Sequence, residues 1–477
     1  MIFNSFQFIW LFPIIFILYW GINTLFKGNR YANKINTILL IFISYAIYIQ
    51  YKPIYALLLL YITIVTYGGG KIIYKQTESK CRKRYLIIIL SISTLLPLLT
   101  FKYYNFLNES LNQAFETIGI HIGLPGLNWS IPIGISFFTF QALGYLFDVY
   151  YKRIEAEKNW WNYMLFICFF PQIASGPISK AKDLLPQIKS THNFNYEKVV
   201  EGCKWLLWGM FLKIVVADRI GTLVDTILPN YTYLSGTTCF IGAILYSFQI
   251  YGDFAGYSFM AIGVGRLMGF DLINNFKRPY FAPTVTEFWK RWHISLTKWL
   301  TDYVYIPLGG NRCSKPRMYL NILITFLVSG IWHGANWTYI IWGCIHGIIQ
   351  SIEKALGIQK CTGGWLKPFR ILVTFILITI AWIFFRMPTI NEGWEVIYKI
   401  FTDYGHITLI SSKTDNLLII TALLIMLVKE WFEEYHSSIT LINNKYTMVR
   451  WITYATLISI ILLCGVFDAG SFIYVSF

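Results

Sequence analysis

Charged residues are scarce in this chain of 477 residues, of which they make up only 13%. A soluble domain carries about 25% charged residues, so the composition argues against a water-soluble protein. Apolar residues instead make up 56% of the chain and form long runs at 5–20, 56–65 and 85–99. Such runs predict transmembrane helices, each of roughly 20 apolar residues. Because the alternating pattern of a membrane β-barrel is absent, the sequence predicts an all-α polytopic membrane protein.

Cysteine motifs and cleavage signals are also missing. The eight cysteines show no C-x-x-C spacing, which argues against a zinc site, an iron–sulfur site or a disulfide framework. We therefore expect no bound metal. The first apolar run has neither a basic segment before it nor a small-residue cleavage site after it. We expect a retained membrane span there, not a removed signal peptide.

Acidic residues are outnumbered: 24 Asp and Glu stand against 40 Lys and Arg, which leaves a net charge of +16. No nucleic-acid partner is needed to explain this excess, because basic cytoplasmic loops orient membrane helices. The basic segments 27–34 and 71–84 fit such loops, whereas 108–130 contains no Lys or Arg. We therefore expect the N-terminus and 108–130 outside the cell. Membrane lipids are the expected partners of the spans and of some lysines.

Interruptions of the apolar pattern divide the chain, which we expect to form one membrane domain over residues 1–477. Residues 1–106 and 369–477 show plain spans and no internal repeat. Between 131 and 352, Gly, Pro, Asp and His break the apolar segments. Non-helical backbone at membrane depth is tolerated only where it is buried in protein or lines a cavity. We therefore expect the catalytic core at 131–352.

The longest charge-free run, 318–352, would measure about 52 Å as one straight helix, against a hydrocarbon core of about 30 Å. It must tilt strongly or break. Gly330 and Gly334 flank His333, and glycine is where a membrane helix can break. We expect His333 at such a break, facing the protein interior. Ionisable residues inside a membrane usually have a function, and the natural role of a neutral imidazole is that of general base.

The segment 277–312 predicts a capped amphipathic helix, at the membrane interface or dipping into the protein. Thr284 and Glu287 have capping-box spacing, and His293 falls one turn after Trp289. Its apolar stripe contains Trp289, Trp292, Leu296, Trp299 and Leu300. For His293, both a catalytic role and interfacial packing stay open at this point. PLGGNR (307–312) predicts a turn.

Two further polar features and one glycine pair stand in apolar surroundings. Asp253 is the only charged residue between Asp225 and Arg266, so its carboxylate needs either a partner or a cavity. The spacing of Gly252 and Gly256 indicates helix packing. FFPQIASGPISK (169–180), with Gln172, either lines a tunnel or ends a helix.

Four stretches together resemble the membrane-bound O-acyltransferase (MBOAT) superfamily, and in particular its bacterial alginate O-acetylation branch. They are FFPQIASGPI (169–178), YGDFAGYSFMAIGVG (251–265), RPYFAPTVTEFWKRWHISLTKWLTDYVYIPLGG (278–310) and SGIWHGANWTYIIWGCIHG (329–347). The resemblance implies a ring of tilted helices with broken segments around a central tunnel. It also implies that the acyl donor enters from the cytoplasm and the acceptor from outside. His333 matches the family's catalytic histidine, and His293 matches the second histidine, in the W-H-x-S/T-L segment.

The resemblance predicts a membrane O-acyltransferase of a bacterial cell membrane that O-acetylates an exported or cell-surface polysaccharide. No cofactor is expected to stay bound, and acetyl-CoA is the expected co-substrate. Expected partners are a periplasmic or extracellular esterase-like acetyltransferase and the polysaccharide machinery. The expected substrate-binding residues are Asp253, Tyr257, Gln172, Trp332 and Asn336.

Two mechanisms remain open: direct transfer to the acceptor, which we prefer, and transfer through an acyl-enzyme. Two other functions also remain. One is D-alanyl transfer to teichoic acid, which the chain length and the C-terminal stretch disfavour. The other is a non-enzymatic transporter or flippase, disfavoured by the absence of inverted repeats.

Overall fold

The structure is a computed structural model that describes residues 3, 6–26, 29–50, 52–76, 79–120, 125–360, 363–408, 412–436 and 442–467. Throughout these residues the regular secondary structure is helical and no β-strand occurs, which confirms the all-α prediction. The predicted loops 27–34, 71–84 and 108–130 lie partly outside the described residues. Their sidedness stays a prediction.

Six helices in the described part of the chain are long and apolar enough to cross a membrane. They cover Gln7–Leu25, Arg30–Ile49, Pro53–Lys75, Lys80–Glu116, Lys367–Arg386 and Thr447–Cys464. All six lie outside the interrupted segment 131–352, so the plain spans predicted on either side of it are present. The prediction of a multi-pass membrane protein is confirmed.

The chain forms two compact units, and the N-terminal unit contains residues 1–203 and 261–273. Local sequence determines where its helices begin: the Asn29 side chain accepts hydrogen bonds from the first turn of one helix, Pro53 opens the next and Ser79 caps a third. Such residues satisfy or remove the donors that a helix start leaves unpaired. The helices are α1 Phe6–Leu25, α2 Arg30–Ile49, α3 Pro53–Lys75, α4 Lys80–Leu98, α5 Tyr104–Glu116, α6 Ile135–Tyr150, α7 Trp160–Cys168, α8 Phe170–Ile173 and α9 Ala181–Lys189.

The C-terminal unit contains residues 204–260 and 274–474. Two helices, α10 Tyr196–Met210 and α12 Gly236–Leu267, contribute residues to both units. The others are α11 Asp218–Ile227, α13 Val285–Arg291, α14 Ile294–Leu300, α15 Lys315–His333, α16 Trp337–Ala355, α17 Lys367–Arg386, α18 Ile390–Thr402, α19 Lys413–Tyr435 and α20 Thr447–Cys464. All predicted site residues except Gln172 lie in this unit.

The charge-free run 318–352 breaks into a helical hairpin. Helix α15 ends at His333, Gly334 has an extended backbone, and α16 begins at Trp337. The Asn336 side chain accepts a hydrogen bond from the N–H of Thr338 and so caps α16. The predicted break beside His333 is therefore confirmed.

Glycines let the two helices of this hairpin touch backbone to backbone. A Cβ atom at Gly330 would collide with the carbonyl oxygen of Tyr339. One at Gly343 would collide with the carbonyl oxygen of Phe326. Contacts of this kind fix the distance between α15 and α16, and with it the position of His333 relative to α16.

The single helix predicted after Thr284 is wrong, because the segment forms two short helices. The cap is confirmed: the Thr284 side chain accepts a hydrogen bond from the N–H of Glu287 at 3.0 Å. Helix α13 then ends at Arg291, and α14 begins at Ile294. Between them, His293 has φ 43° and ψ 54°, the left-handed region in which a right-handed helix cannot continue.

The apolar stripe of this segment lies inside the protein, not along a membrane interface. Its members are all buried: Trp289, Trp292, Leu296, Trp299 and Leu300. The following turn is confirmed, with Gly309 and Gly310 at positive φ. The segment therefore brings His293 into the core of the C-terminal unit.

Two glycines of α12 serve helix packing, as their spacing predicts. A Cβ atom at Gly256 would lie 2.8 Å from the carbonyl oxygen of Gly209. One at Gly252 would lie 2.9 Å from the carbonyl oxygen of Leu212. Both distances are too short for a larger residue, so these glycines hold α12 closely against the chain around 209–212.

Candidate active site

His333 stands at the C-terminal end of α15 with only 1% of its surface exposed. Its ring makes edge contacts with the rings of Trp342 and Phe385, with centroids 5.0 Å and 5.2 Å away. The rings of Trp342 and Phe385 fix the plane of the His333 imidazole. Helix α15 ends here, and the next residue, Gly334, has an extended backbone. The imidazole predicted to be catalytic is thus buried and held at a helix break.

His293 is fully buried at the junction of α13 and α14. Its ring lies 4.6 Å from the ring of Phe254 on α12, in an edge contact. The left-handed backbone at a non-glycine residue costs about 1–3 kcal/mol, and such residues cluster at functional sites. The surrounding structure therefore holds His293 in a conformation that the residue itself disfavours.

The ring of Trp332 joins the two histidines. Its centroid lies 5.6 Å from that of His293 and 4.9 Å from that of His333. The Trp332 side chain is itself buried. The structure thus brings together three predicted site residues from two segments of the C-terminal unit, the end of α15 and the junction of α13 and α14.

A third buried histidine, His346 on α16, lies one layer away. Its Nδ1 atom accepts a hydrogen bond from the indole N–H of Trp289 at 3.3 Å. The Trp342 ring separates it from His333, with centroids 4.8 Å and 5.0 Å from the two imidazoles. His346 therefore binds α13 and lies apart from His293 and His333, the two histidines that contact Trp332.

A cavity of about 280 Å³ lies within the C-terminal unit. Its walls include Trp289 and Ser329, which lies one helical turn before His333. Phe326, Leu296 and other apolar residues line one part of the cavity. Polar groups line another part: Lys290, Tyr305, Asn311, Gln350, Lys354 and Gln359. A ligand in this cavity would meet both apolar walls and two ammonium groups.

Asp253 has a partner, as a buried carboxylate requires. Its Oδ1 lies 2.6 Å from the Nζ of Lys213, and the same ammonium lies 2.6 Å from Asp218. All three side chains are buried. Lys213 lies on a π-helical segment, Phe211–Ala217, and such segments are frequent at functional sites. The pairing gives Asp253 a structural role, and its predicted contact with substrate stays a prediction.

Tyr257 and Asn336 occupy contrasting positions. Tyr257 is buried one turn after Asp253 on α12. Asn336 caps α16, and its amide N–H donates to the carbonyl of Pro388 at 2.8 Å. The Asn336 side chain therefore already has a structural task at the hairpin turn.

Gln172 lies in the N-terminal unit, where the span breaks between α7 and α9. Its amide donates to the Oε1 of Gln141 at 3.1 Å, and its own Oε1 accepts from Ser179 at 2.8 Å. These bonds tie the two sides of the break together. The tunnel-lining role predicted for Gln172 stays a prediction.

Ion pairs fasten α13 at its C-terminal end. Glu434 of α19 accepts from Arg278 at 2.8 Å and from Arg291 at 3.1 Å. Burial raises the pKa of Glu434, but the hydrogen bond from Arg278 and the charge of Arg291 outweigh it, so its pKa lies below the ordinary value. This carboxylate therefore stays charged and anchors the end of α13 close to His293.

Sequence reasoning missed several residues that the structure places around the site. Lys213 stands alone in the apolar stretch WLLWGMFLKIVVA (205–217), a signal equal to that of Asp253. Pairing the two isolated charges would have predicted the ion pair. Glu353 and Lys354, at the end of the charge-free run, carry no signal that separates them from ordinary helix-end charges.

The structure defines a multi-pass helical membrane protein with two buried imidazoles at helix breaks and a part-polar cavity in the same unit. The sequence profile of MBOAT, the membrane-bound O-acyltransferase family, matches residues 3–387. The chain belongs to this family, and it is an O-acyltransferase.

The chain is also similar in sequence to individual bacterial acyltransferases. The protein named "Probable alginate O-acetylase AlgI" of Pseudomonas aeruginosa is 38% identical over 411 residues, covering 84% of this chain and 75% of that protein. The peptidoglycan O-acetyltransferase of Helicobacter pylori is 35% identical over 354 residues, covering 68% and 66%. The teichoic acid D-alanyltransferase of Streptococcus thermophilus is 27% identical over 349 residues, covering 67% and 80%.

Proposed function

We propose that this O-acyltransferase takes an acetyl group from a cytoplasmic thioester donor and moves it across the membrane for O-acetylation of an exported or cell-surface polysaccharide. The names of two relatives refer to O-acetylation of alginate and of peptidoglycan, at 38% and 35% identity. The relative named for D-alanyl transfer is less similar, at 27%. These similarities favour acetyl over D-alanyl as the transferred group.

The observation that carries the chemical proposal is the pair of buried imidazoles, His333 and His293, on the ring of Trp332. In the proposed reaction, His333 takes the proton of the acceptor hydroxyl, and the acceptor oxygen attacks the thioester carbonyl. The tetrahedral intermediate then expels the thiolate, which receives the proton back from the imidazolium and leaves as a thiol. One ester bond forms and one thioester bond breaks, so no acyl-enzyme or metal is needed.

Trp332 and His293 have supporting roles in this proposal. The ring of Trp332 contacts both imidazoles and sets the distance between them. His293, whose ring contacts the same indole, orients the donor in this proposal. A fixed geometry of this kind lowers the barrier because the reacting groups need no further ordering.

The cavity beside Ser329 is the proposed site of the donor, for which acetyl-CoA is the chemical choice. Its two ammonium groups, Lys290 and Lys354, suit the phosphates of the donor, and its apolar walls suit the thioester arm. Loading of the donor from within the cell is part of the proposal and rests on the resemblance to the family.

The proposed setting is the cytoplasmic membrane of a bacterium, with the acceptor on the outer side. A periplasmic or extracellular esterase-like acetyltransferase and the polysaccharide machinery are the proposed partners. They would complete the transfer to a polymer that has already left the cytoplasm. This assignment rests on the resemblance to the alginate O-acetylation branch and on the named relatives.

The test is His333→Ala in cells, compared with wild type, a gene deletion and His406→Ala as a control at an exposed histidine. Base-labile acetate in the surface polysaccharide is measured, with membrane levels of each variant checked by blot. We expect His333→Ala to match the deletion, because loss of a general base costs about 10²–10⁴-fold in rate. Wild-type acetylation in an equally abundant His333→Ala protein would refute the role of His333.

A further inference from the structure

We propose that Glu353 is a positioning residue that ties α16 to the start of α13 and thereby holds His293 at the site. Glu353 is buried near the end of α16. Its carboxylate accepts hydrogen bonds from Val285 and Thr286 at the start of α13. The inference rests on the proposed function, because it assigns a purpose to the position of His293.

The carboxylate of Glu353 binds hydrogen-bond donors in the first turn of α13. Its Oε1 accepts from the backbone N–H of Val285 at 2.6 Å. Its Oε2 accepts from the N–H of Thr286 at 2.8 Å and from the hydroxyl of Thr286 at 2.7 Å. A helix leaves its first N–H groups without partners inside the helix. Thr284 satisfies the next one, at Glu287, so the first three N–H groups of α13 are all bonded.

A second contact joins the same two helices. The Nδ1 of His346 accepts from the indole N–H of Trp289. His346 precedes Glu353 by two turns of α16, and Trp289 follows Val285 by one turn of α13. Two contacts at separate points prevent α13 from sliding or rotating on α16, which one contact alone would permit.

We call the contacts of Glu353 and His346 with α13 the clamp. The clamp acts on His293 because very little chain lies between α13 and His293. Helix α13 ends at Arg291, and only Trp292 separates it from His293. On the other side of His293, Asn275 holds the start of α14. Its backbone carbonyl accepts from the N–H of Ile294 at 3.0 Å, and its side-chain oxygen accepts from the N–H of Ser295 at 3.0 Å. His293 is thus fixed from both sides, and the side controlled by α13 depends on Glu353.

The energetics explain why a charged group is used in this place. A buried carboxylate is costly unless hydrogen-bonded, and three donors at 2.6–2.8 Å meet that requirement. Bonds to an ionised acceptor are roughly twice as strong as neutral ones. A glutamine would keep an acceptor oxygen but would turn its own amide donor toward a backbone N–H. Glu353→Gln therefore removes one side of the clamp with almost no change in shape.

The experiment compares Glu353→Gln with wild type and two controls, all purified in lipid nanodiscs. Thr284→Ala removes a cap of the same helix without releasing α16. Glu392→Gln makes the same chemical change at the capping box of α18. Two readouts are taken: release of CoA from acetyl-CoA with surface polysaccharide of the same cells as acceptor, resolved into kcat and KM, and amide hydrogen exchange of 285–295. His333→Ala is assayed beside them.

We expect Glu353→Gln to lower kcat by about 10-fold to 100-fold, the effect of a displacement of about 1 Å, with KM changed less than about twofold. Exchange should rise at the amides of 292–295 as well as at the first turn of α13. Glu353→Asp, which keeps the carboxylate, should recover part of kcat. Both controls should keep a kcat near that of wild type.

Unchanged kcat and unchanged exchange at 292–295 in Glu353→Gln would overturn the inference, as would a rise in KM alone. If His333→Ala keeps full activity, the proposed function fails instead, while the exchange readout still decides whether Glu353 holds the junction. If Glu353→Gln does not fold, Trp289→Phe tests the second contact with the same two readouts. Unchanged kcat and exchange in Trp289→Phe would then refute the clamp.

Discussion

The glycine contacts of the α15–α16 hairpin make Gly343→Ala a sensitive probe of the site. The added Cβ would collide with the carbonyl oxygen of Phe326 and would lie 3.1 Å from its carbonyl carbon. Both are backbone atoms, so no side chain can rotate away and the helices must separate. Overpacking of this kind costs about 1–3 kcal/mol.

The same separation would displace His333, which is held to α16 by these contacts. A misplacement of about 1 Å can lower the rate of an enzyme about 10²-fold. We therefore expect Gly343→Ala to reduce both the thermal stability and the kcat of the purified protein. Thermal melting in nanodiscs and CoA release from acetyl-CoA measure the two effects.

Gly68→Ala is the matched control, because this glycine of α3 has no atom within 4 Å of a built Cβ. In an open helical position, alanine is favoured over glycine by about 0.8–1.0 kcal/mol. Gly68→Ala should therefore leave stability unchanged or slightly raised, with wild-type kcat. If Gly343→Ala behaves like Gly68→Ala, the hairpin does not depend on close backbone contact, and the reasoning about His333 is refuted.

Two further predictions follow from charged groups of the C-terminal unit. Lys354→Gln should raise the KM for acetyl-CoA several-fold with little change in kcat, because it removes an ammonium from the cavity; an unchanged KM would place the donor elsewhere. Lys213→Met should destabilise the protein by about 3–5 kcal/mol, because it leaves buried carboxylates without their cation. Adding Asp253→Asn should recover part of that loss in a thermal melt, and no recovery would contradict the described pairing.

The membrane spans and the break beside His333 could be predicted because each depends on local chemistry. Apolar length identifies a span, and a run too long for the bilayer must tilt or break where Gly334 permits it. The cap at Thr284 and the packing role of Gly256 follow from equally local rules. In each case the deciding residues are close together in the sequence.

The junction at His293 could not be predicted because its cause is tertiary. The apolar stripe from Trp289 to Leu300 fits one continuous helix, and no residue between them is a helix breaker. Contacts from α12, α16 and α19 hold the backbone of His293 in a region that its own sequence disfavours. The cavity and the bonds of Glu353 likewise join segments far apart in the chain, so the sequence pattern contains no trace of them.

The left-handed backbone of His293 also restricts how this position can evolve. Apart from glycine, only asparagine, aspartate and histidine are enriched in that conformation. A replacement must therefore tolerate the backbone as well as the loss of the imidazole. Asparagine and aspartate are each one nucleotide change from histidine, so they are the accessible steps by which a descendant could keep the fold and lose the chemistry. We expect inactive but well-folded descendants of this enzyme to carry one of those two residues here.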